Sequence, residues 1–244
     1  CSGLTSITIG NSVTSIGDLA FSGCSELTSF IIPDSIISVG SEAFKDCIKL
    51  TSITVPNTIT KIWDVAFKSS GITSFIIPES VTEIGDSAFS GCSGLTSIII
   101  PESVTKIGVR AFRDCSNLTS INIPNQITEI KNAVFSNCIK LTEISIPNSV
   151  LSIGDASFIQ CGLTQITIPE SVFSIGMSAF GWCSVLSTVT VESVIPPSTP
   201  YSIFNSDPLT NIYVPAESVD TYKTAPYWSD YASIIKAQIS PTTP

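Results

Sequence analysis

The chemistry open to this chain is set by its thiols, its acids and its lack of histidine. It has eight cysteines, 20 Asp and Glu against 11 Lys and Arg, and no His in 244 residues. The cysteines stand at positions 1, 24, 47, 92, 115, 138, 161 and 183, with Ser70 filling the one gap in the series. Thiols in such numbers suggest disulfides, a metal or a nucleophile, and each reading meets an obstacle. No C-x-x-C pair and no His are present for a zinc site, and a Ser-His-Asp or Cys-His arrangement cannot be assembled without an imidazole. Stacked in register, the cysteines form columns of three and five, each of which would leave one thiol unpaired. Their Cβ atoms would lie near the strand spacing of ~4.8 Å, beyond the ~3.8 Å a disulfide prefers. The expectation is a buried ladder of free thiols, in a reducing setting or out of reach of oxidant.

The stacking follows from a repeat. Phe returns at 21, 44, 67, 89, 112, 135, 158 and 180, and Cys1–Ile7 recurs letter for letter as Cys92–Ile98. A fixed period in the twenties marks a solenoid, whose units bury their apolar sides only against neighbours. One coil reads Cys-x-x-Leu-Thr-x-Ile-x-Ile-Pro-x-x-Val-x-x-Ile-Gly-x-x-Ala-Phe. Leu27–Ile32 is a short β-branched and aromatic run stopped by Pro33, a strand ended by a residue with no N–H for a ladder. Val13–Ile16 and its copies give a second short extended piece. Asp18, Ser41, Asp64, Asp86, Asn132 and Asp155 look like caps of one helical or 3₁₀ turn. Gly17, Gly40, Gly85, Gly108, Gly154 and Gly176 suit a corner with positive φ, although Trp63 and Lys131 stand there in two coils. Two coils are one residue short in the same turn, at Ser70-Gly71-Ile72 and Cys161-Gly162-Leu163, as expected of a loop and not of a strand.

Composition excludes several functions. A net charge of −9 without a basic cluster is the wrong balance for nucleic acid or anionic lipid. No apolar run approaches the ~20 residues of a spanning helix, so direct membrane insertion is not expected. The Asn/Asp/Glu column at 11, 34, 57, 79, 102, 125, 148 and 170 could suggest calcium, but it lacks the Gly-Gly-x-Gly-x-Asp repeat and suits ordinary turns. No cofactor is implied.

Alternation in Leu-Thr-x-Ile-x-Ile points the Ile pair inward and both x residues outward. The first outward column is Ser6, Ser29, Ser52, Ser74, Ser97, Ser120, Glu143, Gln165, Thr188; the second is Thr8, Ile31, Thr54, Ile76, Ile99, Asn122, Ser145, Thr167, Thr190, Tyr213. Exposed Ile31, Ile76 and Ile99 would make an apolar row with Asn122, Glu143 and Gln165 as polar flank, the make-up of an interaction surface. The candidate ligand-binding residues are therefore Ile31, Thr54, Ile76, Ile99, Asn122, Glu143, Gln165 and Tyr213. With one acid in these columns, the paired carboxylates of a glycoside-cleaving enzyme are missing. The invariant Thr after Leu carries no local specificity and is expected to bond its stacked neighbours.

After Val191 the period breaks into Glu192–Pro200, a proline-rich excursion, followed by one degenerate repeat with Phe204 and a last strand at Leu209–Pro215. Ala216–Thr224 reads as a helix with Val219 and Tyr222 on one face, and Tyr227, Trp228 and Tyr231 follow. Residues 1–191 are thus expected to form the solenoid and 192–244 the degenerate last repeat and C-terminal cap; an aromatic cleft for sugars is the alternative for those side chains. Cys1 falls in register with Cys24 and Cys92, so the chain is expected to open inside an array, without an N-terminal cap or targeting signal.

The repeats, Leu-x-x-Ile-x-Ile-Pro then Ile-Gly-x-x-Ala-Phe-x-x-Cys, resemble the BspA-like class of bacterial leucine-rich repeats over residues 1 to about 191, and the tail from Ile212 to Trp228 resembles their cap. The resemblance implies a β-rich, right-handed leucine-rich-repeat solenoid of about eight coils of 22–23 residues. Such a fold has a parallel concave sheet, short helical or 3₁₀ turns, and a C-terminal cap containing a helix. It also implies an extracellular or cell-surface protein, not an enzyme, that adheres to a protein or glycan ligand on host or neighbouring cells. A structural spacer that presents another domain is the second expectation.

Overall fold

The computed structural model describes residues 1–238; the expected cap runs on into residues 239–244, outside the described part. Coil follows coil in one stack of about ten turns. Two sets of short parallel strands line two of its sides. The leading set comes from the Leu-Thr-x-Ile segments: Ser29 pairs with Ser52, Ser97 with Ser120, and Gln165 with Thr188 and then Thr188 with Asn211. A final strand, Ile235–Ala237, closes this sheet beside Asn211–Val214. The second set pairs Ser15 with Ser38, then Lys61, Glu83 and Lys106, then Glu129, Ser152 and Ser174.

The third side is not helical. Bonds from residue i to i−3, such as Ser22 N–H to the Leu19 carbonyl (3.0 Å) and Cys24 N–H to the Phe21 carbonyl (3.0 Å), close each turn. Two residues per coil, four apart, sit at positive φ: Leu19 and Gly23, Arg110 and Asp114, Ala156 and Gln160. Alternation between the two hands stops a helix from propagating. It also aims N–H groups at the next coil: Phe21, Phe44 and Phe67 donate to the carbonyls of Ala43, Ala66 and Ala88 at 2.8–3.0 Å. The turn side is therefore a third hydrogen-bonded ladder.

The corner glycines are small for a different reason from the expected one. Positive φ belongs to Gly23 and Gly91, not to the corner column. A Cβ on Gly40, Gly85, Gly108, Gly154 or Gly176 would collide with the side chain or backbone of Asp18, Asp64, Asp86, Asn132 or Asp155 one coil earlier. Nor do those Asp and Asn residues cap their own turns. Each Oδ1 accepts the N–H that follows the glycine of the next coil, as in Asp18 to Ser41 (2.8 Å) and Asp86 to Val109 (2.8 Å). Trp63 and Lys131 replace the glycine only where the preceding coil offers Ser41 or Val109.

The core is a column of rings. From Phe21 to Phe204 successive phenylalanines stack with centroids 5.2–5.9 Å apart. Trp228 and Tyr231 meet Phe204 edge-on and end the column. The Tyr222 hydroxyl donates to the Ser193 carbonyl (2.8 Å), and Trp228 Nε1–H donates to the Pro197 carbonyl (3.0 Å). The cap helix is shorter than expected, Val219–Thr224 after a 3₁₀ turn at Ala216–Ser218. Tyr227, expected to help hide the open end, is exposed. Among the described residues no helix is long and apolar enough to cross a membrane.

Candidate functional site

Seven of the eight cysteines are buried and all are free; Cys1 is exposed. The thiols from Cys92 to Cys183, and Cys47, point at the phenylalanine carbonyl of the preceding coil at 3.0–3.3 Å. Burial pushes Cys47 and Cys92 up to about 11 and Cys183 up to about 12. A thiol held protonated in a dry core is neither a nucleophile nor a metal ligand. The thiols therefore build core and not a site, and the surface of the coils is where the candidate residues lie.

The leading face presents its two columns as the alternation requires, since strand burial alternates exposed and buried in Ser29–Ile31, Ser52–Thr54 and Gln165–Ile168. Ile31, Ile76 and Ile99 are 70%, 85% and 80% exposed, and Ile31 lies beside Thr54 in register. Such exposure on a β-branched apolar side chain costs hydration free energy on every copy of the protein. Of the Thr column after Leu, Thr51, Thr73 and Thr119 bond along the stack, as Thr119 Oγ1 does to the Thr96 carbonyl (3.0 Å).

Two of the candidate residues sit differently from the rest. Asn122 is exposed but spent: its amide accepts from the Ile100 N–H and donates to the Ile100 carbonyl, both at 2.8 Å. It supplies ladder bonds where the backbone does not. Tyr213 lies at the far end of the face, half-buried beside Thr190 and Lys236. Lys236 in turn donates to Asn211 Oδ1 (2.6 Å).

Glu143 and Gln165 come together in a groove of about 680 Å³. It opens because the leading sheet is interrupted. Residues 142–146 form no strand between Ser120–Ile121 and Gln165–Ile168; the Thr164 N–H to the Thr142 carbonyl (3.3 Å) is the bond that remains. The next coil is one of the two short ones, and Gly162 in its turn lies so close under the Ile139 carbonyl that a Cβ would collide. The equivalent contact, Gly71 under the Ile48 carbonyl, lies beside the other interruption, but there the strand lost is the short coil's own, at residues 73–77. Asn148 and Glu192 also line the groove, and the outward columns could not reveal them. Both lie beyond the strand, at the post-proline turn and at the proline position itself, where only the stacked coils bring them to one rim.

Comparison with known proteins places this architecture among bacterial repeats. The family profile described as the BspA type leucine rich repeat region, six copies, matches residues 1–119 and 105–230. A leucine-rich repeat protein from Bacteroides ovatus is 30% identical, with a TM-score of 0.68 over 83% of this chain and 59% of that one. The chain thus spans less than two thirds of that protein. The T. pallidum leucine rich repeat protein is 31% identical, with a TM-score of 0.56 over 61% of this chain and 70% of that one. The pneumococcal vaccine antigen PcpA shares the fold at 21% identity, with a TM-score of 0.56 over 92% of this chain and 69% of that one. No curated protein matches the chain.

Proposed function

The chain belongs to the BspA-type leucine-rich repeat family, and from that premise we propose that it is a non-enzymatic binding protein of the cell surface or extracellular space, holding a protein or glycan ligand of host or neighbouring cells on its leading sheet. The observation that carries this reading is the apolar row of Ile76 and Ile99, each at least 80% exposed, next to a polar groove containing Glu143 and Gln165. An apolar centre with a polar flank is the make-up of a protein-binding patch. Ile31, Thr54, Asn122 and Tyr213 belong to the same face. Asn122 would set its shape and not reach a ligand.

Binding of the protein to a panel of matrix proteins and glycans, beside an Ile76→Asp/Ile99→Asp variant shown to be folded by circular dichroism, tests the reading. The expected result is binding that the folded variant loses. Binding that survives the double substitution moves the site to the cap or the turn side. No binding to any member of the panel leaves the repeats as a spacer.

A further inference from the structure

From Ser6 to Tyr213 the two outward columns of the leading face contain Glu143 and no Lys or Arg; Lys236 stands beyond them, next to Tyr213 at the cap end of the sheet, where it bonds Asn211. Other bases lie off the face: Lys61 beside Glu83 in the second ladder, Lys49 against Glu26 ahead of a strand, and Lys45 and Arg113 on the turn side. Glu143 and Glu192 both line the groove together with Asn148, Gln165 and several Ser and Thr residues, and no base or aromatic ring lines it. Neither glutamate is in an ion pair among the described residues.

The segment lining the middle of the groove is outside the ladder. Glu143, Ile144, Ser145 and Ile146 make no backbone hydrogen bond to either neighbouring coil among the described residues. Ile144 is only partly buried, where Ile121 and Ile166 in the flanking coils are buried. A ligand in the groove meets hydroxyls, amides and two carboxylates, with no base among the lining residues to neutralise them. A sugar would lack the aromatic platform on which it stacks, and an anionic ligand would meet two carboxylates.

We propose that the groove takes an extended segment of a partner protein that places Lys or Arg side chains against Glu143 and Glu192, while neighbouring apolar residues of that segment run towards Ile99 and Ile76. The inference rests on the leading face being the binding face. It goes further by naming the partner's chemistry. The two coils from Glu143 back to Ile99 span roughly 10 Å at the ladder spacing, a reach of about three extended residues.

Selection from a displayed library of random short peptides, on the wild-type protein and on a Glu143→Gln/Glu192→Gln variant at low salt, tests it. The wild type is expected to enrich peptides with Lys or Arg next to apolar residues. A synthesised winner should bind the variant about three- to tenfold more weakly and weaken further in high salt. Winners without excess Lys or Arg, no enrichment, or equal affinity for the variant would each overturn the proposal. Peptides indifferent to the glutamates but lost by Ile76→Asp/Ile99→Asp would remove the cationic partner and leave the leading face standing. Peptides indifferent to both pairs would remove the two readings together.

Discussion

At the scale of single residues the contact between an Asp or Asn and the glycine of the next coil does more than close a turn. Gly108→Ala drives a methyl into Asp86, and overpacking of this kind costs about 1–3 kcal/mol. Asp86→Ser should recover only the part owed to the Asp86 carboxylate, 2.6 Å from the new methyl, and not the part owed to the backbone of Gly85 and Asp86, which lies closer; Ser41 faces Trp63 at the equivalent junction. Urea unfolding of the two single variants and the double variant would give a coupling of about 1 kcal/mol; simple additivity would deny the pairing any energetic content. The thiols make a second prediction. With Cys47 and Cys92 at about 11, a thiol reagent near pH 8 should label Cys1 quickly and the seven buried cysteines only after denaturant is added, as peptide mapping would read. The burial of these cysteines was legible from their period. The reason for the corner glycines was not, because the clash lies between coils and each coil's own sequence looks like a turn.

At the scale of elements, the cap holds a carboxyl at odds with its surroundings. Asp207 has both oxygens buried without a partner at bonding geometry. Burial, offset only in part by the Cys183 backbone N–H, raises it to about 7. The Cys183 thiol and, through its own upward shift, Tyr231 feel the same charge. A carboxyl raised above its unfolded value near ~3.9 stabilises the fold while protonated, so the contribution declines as pH rises from about 4 through about 7. Asp207→Asn should therefore raise the melting temperature near pH 8 and leave it nearly unchanged near pH 4.5. An equal shift at both pH values would place the effect elsewhere. In the core, Phe112→Ala should cost about 3–5 kcal/mol, read by denaturant unfolding, because Phe112 stacks on Phe89 and Phe135. The sequence displayed the strand segments and the aromatic cap, since both rest on strong periodic or compositional signals. It concealed the sheet interruptions at residues 73–77 and 142–146, because Leu-Thr-x-Ile reads alike whether or not the neighbouring backbone comes within bonding reach. The strand at Ile235–Ala237 was hidden as well; it extends a sheet already in place and carries no breaker of its own.

At the scale of the molecule, each coil is held by its two neighbours on three sides, through two β-ladders and the turn ladder, around one column of rings. Deleting the chain from Glu192 onward would bare Phe180 and Val191, both buried, and size-exclusion chromatography with light scattering should then show association or aggregation; a monodisperse monomer would mean the cap is dispensable. The leading face was readable as a surface because outward positions alternate. Its groove was not, because the rim is assembled from residues of several coils. The Asp–Gly contact also governs how such an array can change in length. A coil is portable only into a place whose predecessor suits it: one ending in Asp or Asn admits only a successor with glycine, and one ending in Ser or Val admits a bulky side chain. Recombination among near-identical coils is therefore not free to join any two of them. The reach of the protein can lengthen or shorten only along junctions that respect this grammar.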